Sequence, residues 1–140
     1  MTDNFNFKKA LKLFERQIEC IMSDDRRAQM ELYAEDVRYE FPFANDRPRL
    51  IESREAFRVI MTPLWDEARQ RGVRVVGCDH EFHATDETGL FLAVFVLEVM
   101  AAGSTMSLPF VQLIRIRNDH IVEVREYFSP SRRQEVIDQR

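Results

Sequence analysis

The chain has too little of several things for whole classes of protein to apply. Of its 140 residues only two are cysteine and three are histidine. Cys20 and Cys78 cannot form a disulfide framework, and with His80, His83 and His120 they show no zinc-type spacing. His80-x-x-His83 could pair on one ion but has no third ligand, so neither a metal nor another cofactor is expected. There is no excess of positive charge: the formal net charge is −4, which removes the electrostatic footprint of a nucleic-acid binder. The pairs Arg26-Arg27 and Arg132-Arg133 are flanked by acids and read as solvated surface. No apolar run approaches the roughly 20 residues of a membrane span, and no signal-peptide pattern opens the sequence. The expected setting is the cytoplasm, away from membranes.

What is present suits one globular domain over residues 1–140. Hydrophobic residues make up 45% and charged residues 31%, an ordinary balance. Aromatic usage is uneven, with eleven Phe against three Tyr and one Trp. Phe brings apolar surface without a polar tip, which suits a thick core or an apolar cavity.

Phe7, Leu11, Phe14, Ile18 and Ile21 recur at alternating steps of four and three, predicting an amphipathic first helix with Gln17 beside its apolar face. A short second helix follows, capped by Asp24 or Asp25, with Leu32 and Tyr33 on its buried side. Residues 37–43 alternate as a strand that places Val37, Tyr39, Phe41 and Phe43 on one face, with Pro42 marking a sheet edge or bulge. Residues 44–50 read as a polar loop. Ser53 is an N-cap for a third helix with Phe57, Ile60, Met61 and Leu64 buried, and Pro63 is expected to end or kink it. Beyond Gly72 the pattern changes to four long strands, near 73–83, 90–100, 106–117 and 121–129, joined by tight turns. Helices followed by a meander predict an α+β domain in which three N-terminal helices cover a curved antiparallel sheet.

The closing strand carries the clearest anomaly. Val122, Val124, Glu126 and Phe128 share a face at period two, so a carboxylate points where three apolar side chains are buried. A buried carboxylate is costly unless it is paired or its pKa rises. Gln112 stands in the same relation to Ile114 and Ile116. Four elements thus offer one polar group each, Gln17, Tyr39, Gln112 and Glu126, to an apolar interior, the usual form of a small-molecule site. Hydrogen-bonded core residues would show the same pattern at Tyr39 and the two glutamines. An acid is rarely buried without a task, so Glu126 leads the candidates.

Tyr33-Ala34-Glu35-Asp36-Val37, Glu40-Phe41-Pro42-Phe43-Ala44, Arg54-Glu55-Ala56-Phe57 and the closing Ile121 to Pro130 resemble the SnoaL-like branch of the nuclear transport factor 2-like superfamily. The nearest resemblance is to the phenazine-biosynthesis A/B-type proteins. It implies a cone: helices over the concave side of a curved sheet, an apolar pocket, and a homodimer through the outer face carrying Arg115, Glu123, Arg125 and Tyr127. Ketosteroid isomerases of this superfamily use an Asp base, a Tyr and an Asp at positions that resemble Phe41, Gln17 and Gln112, so the base is missing here. Limonene-epoxide hydrolases use an Arg–Asp pair on a strand that resembles Val94-Phe95-Val96-Leu97, which has none. A scytalone-dehydratase-like His pair is excluded by parity, because His80 and His83 cannot both face inward. In the phenazine A/B-type proteins a Glu of the closing motif assists condensation of a cyclic ketone, and Glu126 matches it.

The resulting expectation is a cofactor-independent isomerase- or cyclase-like enzyme acting on a small apolar, cyclic carbonyl compound. Glu126, Tyr39 and Gln112 would be catalytic. Gln17, Phe41, Phe43, Phe57, Val124, Phe128 and one of His80 or His83 would shape and line the pocket. The alternative is a dimeric module of the same fold that binds a small ligand without altering it.

Overall fold

A computed structural model describes residues 2–138, with side chains from residue 6 onward. The chain order is α1 (Thr2–Met22), α2 (Arg26–Met30), β1 (Tyr33–Glu40), β2 (Leu50–Ile51), α3 (Arg54–Gln70), β3 (Arg74–Ala84), β4 (Leu90–Ala101), β5 (Ser104–Arg117), β6 (His120–Phe128) and α4 (Pro130–Ile137). The strands form one curved, unclosed sheet in the order β2-β1-β6-β5-β4-β3. β3 to β6 are the expected antiparallel meander. β1, however, lies parallel to β6, so the sheet is mixed. Hairpins force neighbouring strands to run oppositely, but a strand reached only after a long excursion has no such constraint, and side-chain alternation is blind to direction.

The inner face of β4 shows why the meander folds as it does. Phe91, Ala93, Phe95, Leu97, Val99 and Ala101 are buried, while Leu90, Leu92, Val94 and Val96 on the other face stay partly exposed. α1 lays Phe14 into that inner face, against Phe82 at 5.2 Å and Phe95 at 5.6 Å between ring centroids. Each such buried ring is worth about 1.5–3 kcal/mol relative to water, so α1 is held mainly by this cluster.

Several local expectations are corrected. α2 stops at Met30, capped by Asp25, whose carboxylate accepts from the Ala28 N–H at 3.1 Å. Tyr33 belongs to the first strand, not to the helix. That strand ends at Glu40, and the chain then folds back on itself, with the Ala44 N–H bonded to the Phe41 carbonyl at 3.1 Å. Alternation therefore fails beyond Phe41, and Phe43 points outward, 60% exposed. α3 is capped by Ser53 as expected but runs through Pro63 to Gln70. The carbonyl deprived of a donor by Pro63 is that of Val59, a residue 55% exposed, so water can serve it. In β6 a bulge beside Arg115 and Ile116 shifts the register, so Ile121, not Val122, is buried with Val124 and Phe128. α4 was not foreseen, although its start carries two plain signals. The Ser129 hydroxyl accepts from the Arg132 N–H at 3.2 Å, and Pro130 occupies the first turn.

The β4–β5 turn contains a small strain. Ala102 sits at φ 51°, ahead of Gly103 at φ 79°, in a two-residue hairpin of the kind that favours Asn-Gly. Ala102→Asn is expected to stabilise the fold by roughly 1 kcal/mol by relieving the left-handed alanine. A higher urea midpoint at unchanged slope is the expected observation; a lower midpoint would contradict this reading of the turn.

Candidate functional site

The concave side of the sheet encloses a cavity of about 180 Å³. Its wall is largely aromatic and aliphatic. Phe41 extends from β1, Phe57 and Trp65 come from α3, Phe95, Phe110 and Phe128 from the sheet, and Val136 and Ile137 from α4. Sheet order places β6 between β1 and β5, so inward-facing groups of all three meet in the middle. The Glu126 Oε1 accepts from the Tyr39 hydroxyl at 2.8 Å and from the Gln112 Nε2 at 2.6 Å. Oε2 has no protein partner among the described residues, which leaves it for the cavity that Glu126 lines.

The two bonds are the end of a longer chain. The Gln112 Oε1 accepts from the Gln17 Nε2 at 3.2 Å, and the Gln17 Oε1 from the Tyr33 hydroxyl at 2.8 Å. The Tyr33 oxygen accepts from the Gln29 Nε2 at 3.1 Å, and the Gln29 Oε1 from the Arg26 Nη1 at 2.8 Å. The direction of every bond follows from its ends. An arginine can only donate and a carboxylate acts here as acceptor, so each amide between them must turn its oxygen toward Arg26 and its nitrogen toward Glu126. Such a run of bonds polarises in one sense.

The titration behaviour has a clear physical source. Burial raises the pKa of Glu126, opposed by the bonds from Gln112 and Tyr39 and by the positive charges of Arg47 and Arg26. Tyr39 is pushed well above an ordinary phenol by burial and by the adjacent carboxylate, so it remains a neutral donor. Burial likewise raises Tyr33.

The structure brings some of the residues singled out in the sequence together and leaves others apart. Glu126, Tyr39, Gln112, Gln17, Phe41, Phe57 and Phe128 line one cavity. Phe43 does not; it packs outside against Tyr127, at 5.4 Å between rings. Val124 is fully buried in the core but forms no part of the cavity wall. Neither His80 nor His83 reaches the cavity. Both are exposed, His80 resting edge-on against Phe14 at 5.5 Å. Their strand β3 meets the cavity at Val75, near its start, whereas both histidines lie farther along it.

Five polar residues in or beside the cavity, Arg26, Gln29, Tyr33, Arg47 and Arg133, carry no such signal in the sequence. Tyr33 was masked by its assignment to a helix and by a register shift in β1 between Tyr33 and Arg38. Arg26 and Arg133, read as surface, border the cavity with their side chains 23% and 22% exposed. Arg47 lies in the loop read as polar, yet its side chain is 5% exposed. A larger, open groove near Arg38, Arg54 and Arg117 lacks apolar enclosure, and the neighbouring Arg115 is already paired with Glu123 and Glu87.

Comparison with known proteins supports the architecture. Residues 14–124 match the sequence model of the SnoaL-like domain. No curated protein matches the chain. Among solved structures, a candidate isomerase from Bacillus subtilis is similar at TM-score 0.76, with 20% identity over 94% of each chain. A candidate polyketide cyclase from Xanthomonas campestris pv. campestris is similar at TM-score 0.71, with 21% identity over 95% of this chain and 99% of that one. An LEH-like epoxide hydrolase of M. tuberculosis is similar at TM-score 0.63, with 13% identity over 94% of this chain and 90% of that one. At these identities the likeness shows the fold. No helix among the described residues is long and apolar enough to cross a membrane, and no cluster there could hold a metal ion.

The raised Glu126 gives a stability prediction with a definite sign. A carboxyl held above its unfolded value favours folding when protonated, so its contribution is fully present below the unfolded pKa and is lost as pH rises through the folded one. Glu126→Gln keeps an acceptor for Tyr39 and Gln112 and removes the charge. It should unfold at a higher temperature than the parent at pH 7–8, with the gain vanishing toward about pH 4. A gain that grows on acidification would mean that the carboxyl is depressed instead.

Proposed function

The chain belongs to the SnoaL-like domain family, and on that footing we propose that its cavity is the site of an isomerase- or cyclase-like enzyme that needs no cofactor. Its substrate is a small, largely apolar, cyclic carbonyl compound, and Glu126 is the general acid–base. The observation that carries this reading is the hold on that carboxyl. Two donors engage Oε1, while Oε2 is left to an apolar cavity whose burial keeps the group poised to carry a proton.

In the proposed cycle, protonated Oε2 gives its proton to the substrate carbonyl oxygen. The carboxylate that remains takes a proton from the adjacent carbon. Tyr39 and Gln112 serve this cycle through Glu126: their bonds to Oε1 shorten and strengthen as it gains charge. Gln17 fixes the amide of Gln112, and Phe41, Phe57 and Phe128 supply the apolar wall. We place the phenazine A/B-type proteins as the nearest functional relatives on this one position, and the cytoplasm as the setting.

Proton exchange at the carbon beside the carbonyl of cyclohexanone, followed by NMR in D₂O, tests the reading. The parent should accelerate exchange, and Glu126→Gln should lose about 10²–10⁴ of that rate. Equal rates in the two would overturn the assignment. Binding without exchange would favour the alternative, a module that holds its ligand unaltered.

We also propose that the chain is a homodimer through the outer sheet face. Leu92, Val94, Val96, Val111 and Leu113 lie together there and are only partly covered. An apolar patch of this kind on one face of a sheet marks an association surface. Light scattering should give twice the chain mass for the parent and a monomer for Val94→Glu; a monomeric parent would refute the dimer.

A further inference from the structure

The charged groups of the cavity that the proposed cycle leaves unused are all cationic: Arg26, Arg47 and Arg133. Arg26 is committed already. Its Nε and Nη1 are taken by Asp24 at 3.2 Å and Gln29 at 2.8 Å, and its guanidinium lies 4.5 Å from the Trp65 ring centroid.

The other two form a different arrangement. Asp46 holds the Arg47 Nε at 2.8 Å and Nη2 at 3.1 Å, and also takes the Arg133 Nη1 at 2.8 Å. One carboxylate therefore faces two guanidinium groups, leaving one positive charge in excess. Arg47 is the more deeply placed, between the rings of Phe41 and Phe128 at 4.8 and 5.0 Å. Among the described residues the partner of its Nη1 is the Met61 sulfur at 3.5 Å. A thioether is a weak acceptor for a charged donor in an apolar wall. Burial also pulls the Arg133 guanidinium below its usual range, as an incompletely neutralised cation would show. An anionic oxygen arriving through the cavity would supply the missing acceptor and the missing charge.

Size narrows the ligand further. A dry cavity of about 150 Å³ holds a benzene-sized molecule, and this one, at about 180 Å³, admits one ring with a substituent. Resting on the reading of this cavity as the substrate site, we propose that the substrate is a one-ring organic acid. Its carboxylate meets Arg47 and Arg133, its ring packs on Phe41, Phe57 and Phe128, and its far end faces Glu126. Substrate binding and proton transfer then use different groups of one aromatic-walled cavity.

Isothermal titration of the full chain at neutral pH with benzoate and with benzamide, its uncharged analogue of the same shape, tests the inference. Benzoate should bind about 10- to 100-fold more tightly, the range of a charge-assisted contact. Arg47→Gln should abolish the preference. Arg133→Gln, which leaves Asp46 to neutralise Arg47, should reduce it and serves as the second variant should Arg47→Gln fail to fold. Glu126→Gln should keep it. Benzoate binding no better than benzamide, or a preference that survives both arginine changes, would overturn the inference. Failure of the acid–base reading is separate: Glu126→Gln would exchange protons at the parental rate while the benzoate preference stood.

Discussion

Taking one carboxyl out of water constrains everything around it. Glu126 sits among phenyl rings, where an unpaired charge would cost several kcal/mol. Its donors can come only from the strands on either side, and β1 and β5 each contribute one, Tyr39 and Gln112. Gln112 is directly opposite Glu126 in the ladder, and Tyr39 is opposite Val124. A one-residue slip of either strand would turn its donor to the outer face. Satisfying Glu126 creates the next debt, the Gln112 carbonyl, which requires Gln17 from α1. Gln17 in turn requires Tyr33, and Tyr33 requires Gln29 from α2. Helix placement and strand register are thus answers to one electrostatic demand.

That demand was visible in the sequence, because a lone acid at period two among Val124 and Phe128 is a local signal. So were the four long strands, whose alternation and turns are also local. Gln17 and Gln112 could be marked for the same reason. What could not be read were properties that depend on where distant segments meet. The parallel pairing of β1 with β6 leaves no trace in alternation, and a bulge moved Val122 off the face on which period two had placed it. Phe43 was misjudged because the strand had already ended. His80 and His83 have the right chemistry at the wrong end of β3, which meets the cavity at Val75. Arg47, Arg133 and Asp46 come from a loop and a helix far apart in sequence, and only the closed cone shows them as a cluster. The start of α4 was different: Ser129 and Pro130 spelled it out, but they also fit a strand end.

The cavity combines a general fold with a particular chemistry. Cones of this family carry several reactions, so the fold supplies shelter and the side chains supply purpose. Here the shelter is aromatic, and the polar groups are gathered into two clusters. One is a relay of neutral amides and phenols that ends on Glu126. The other is a pair of guanidinium groups sharing Asp46. Both border the same largely apolar cavity, and the positive charge of Arg47 is felt at Glu126.

The position of β6 bears on how the protein comes into being. It lies between β1 and β5, and the bond from Tyr39 to Glu126 joins residues 87 apart in sequence. A ribosome delivers β1 long before the strand it must pair with. Until β6 emerges, β1 and its short partner β2 have no place in the sheet, and the relay from Arg26 has no carboxylate to end on. Contacts of such long range make for slow folding. Assembly of this domain must therefore wait for nearly all of it to be synthesised, and the cavity is completed together with the sheet.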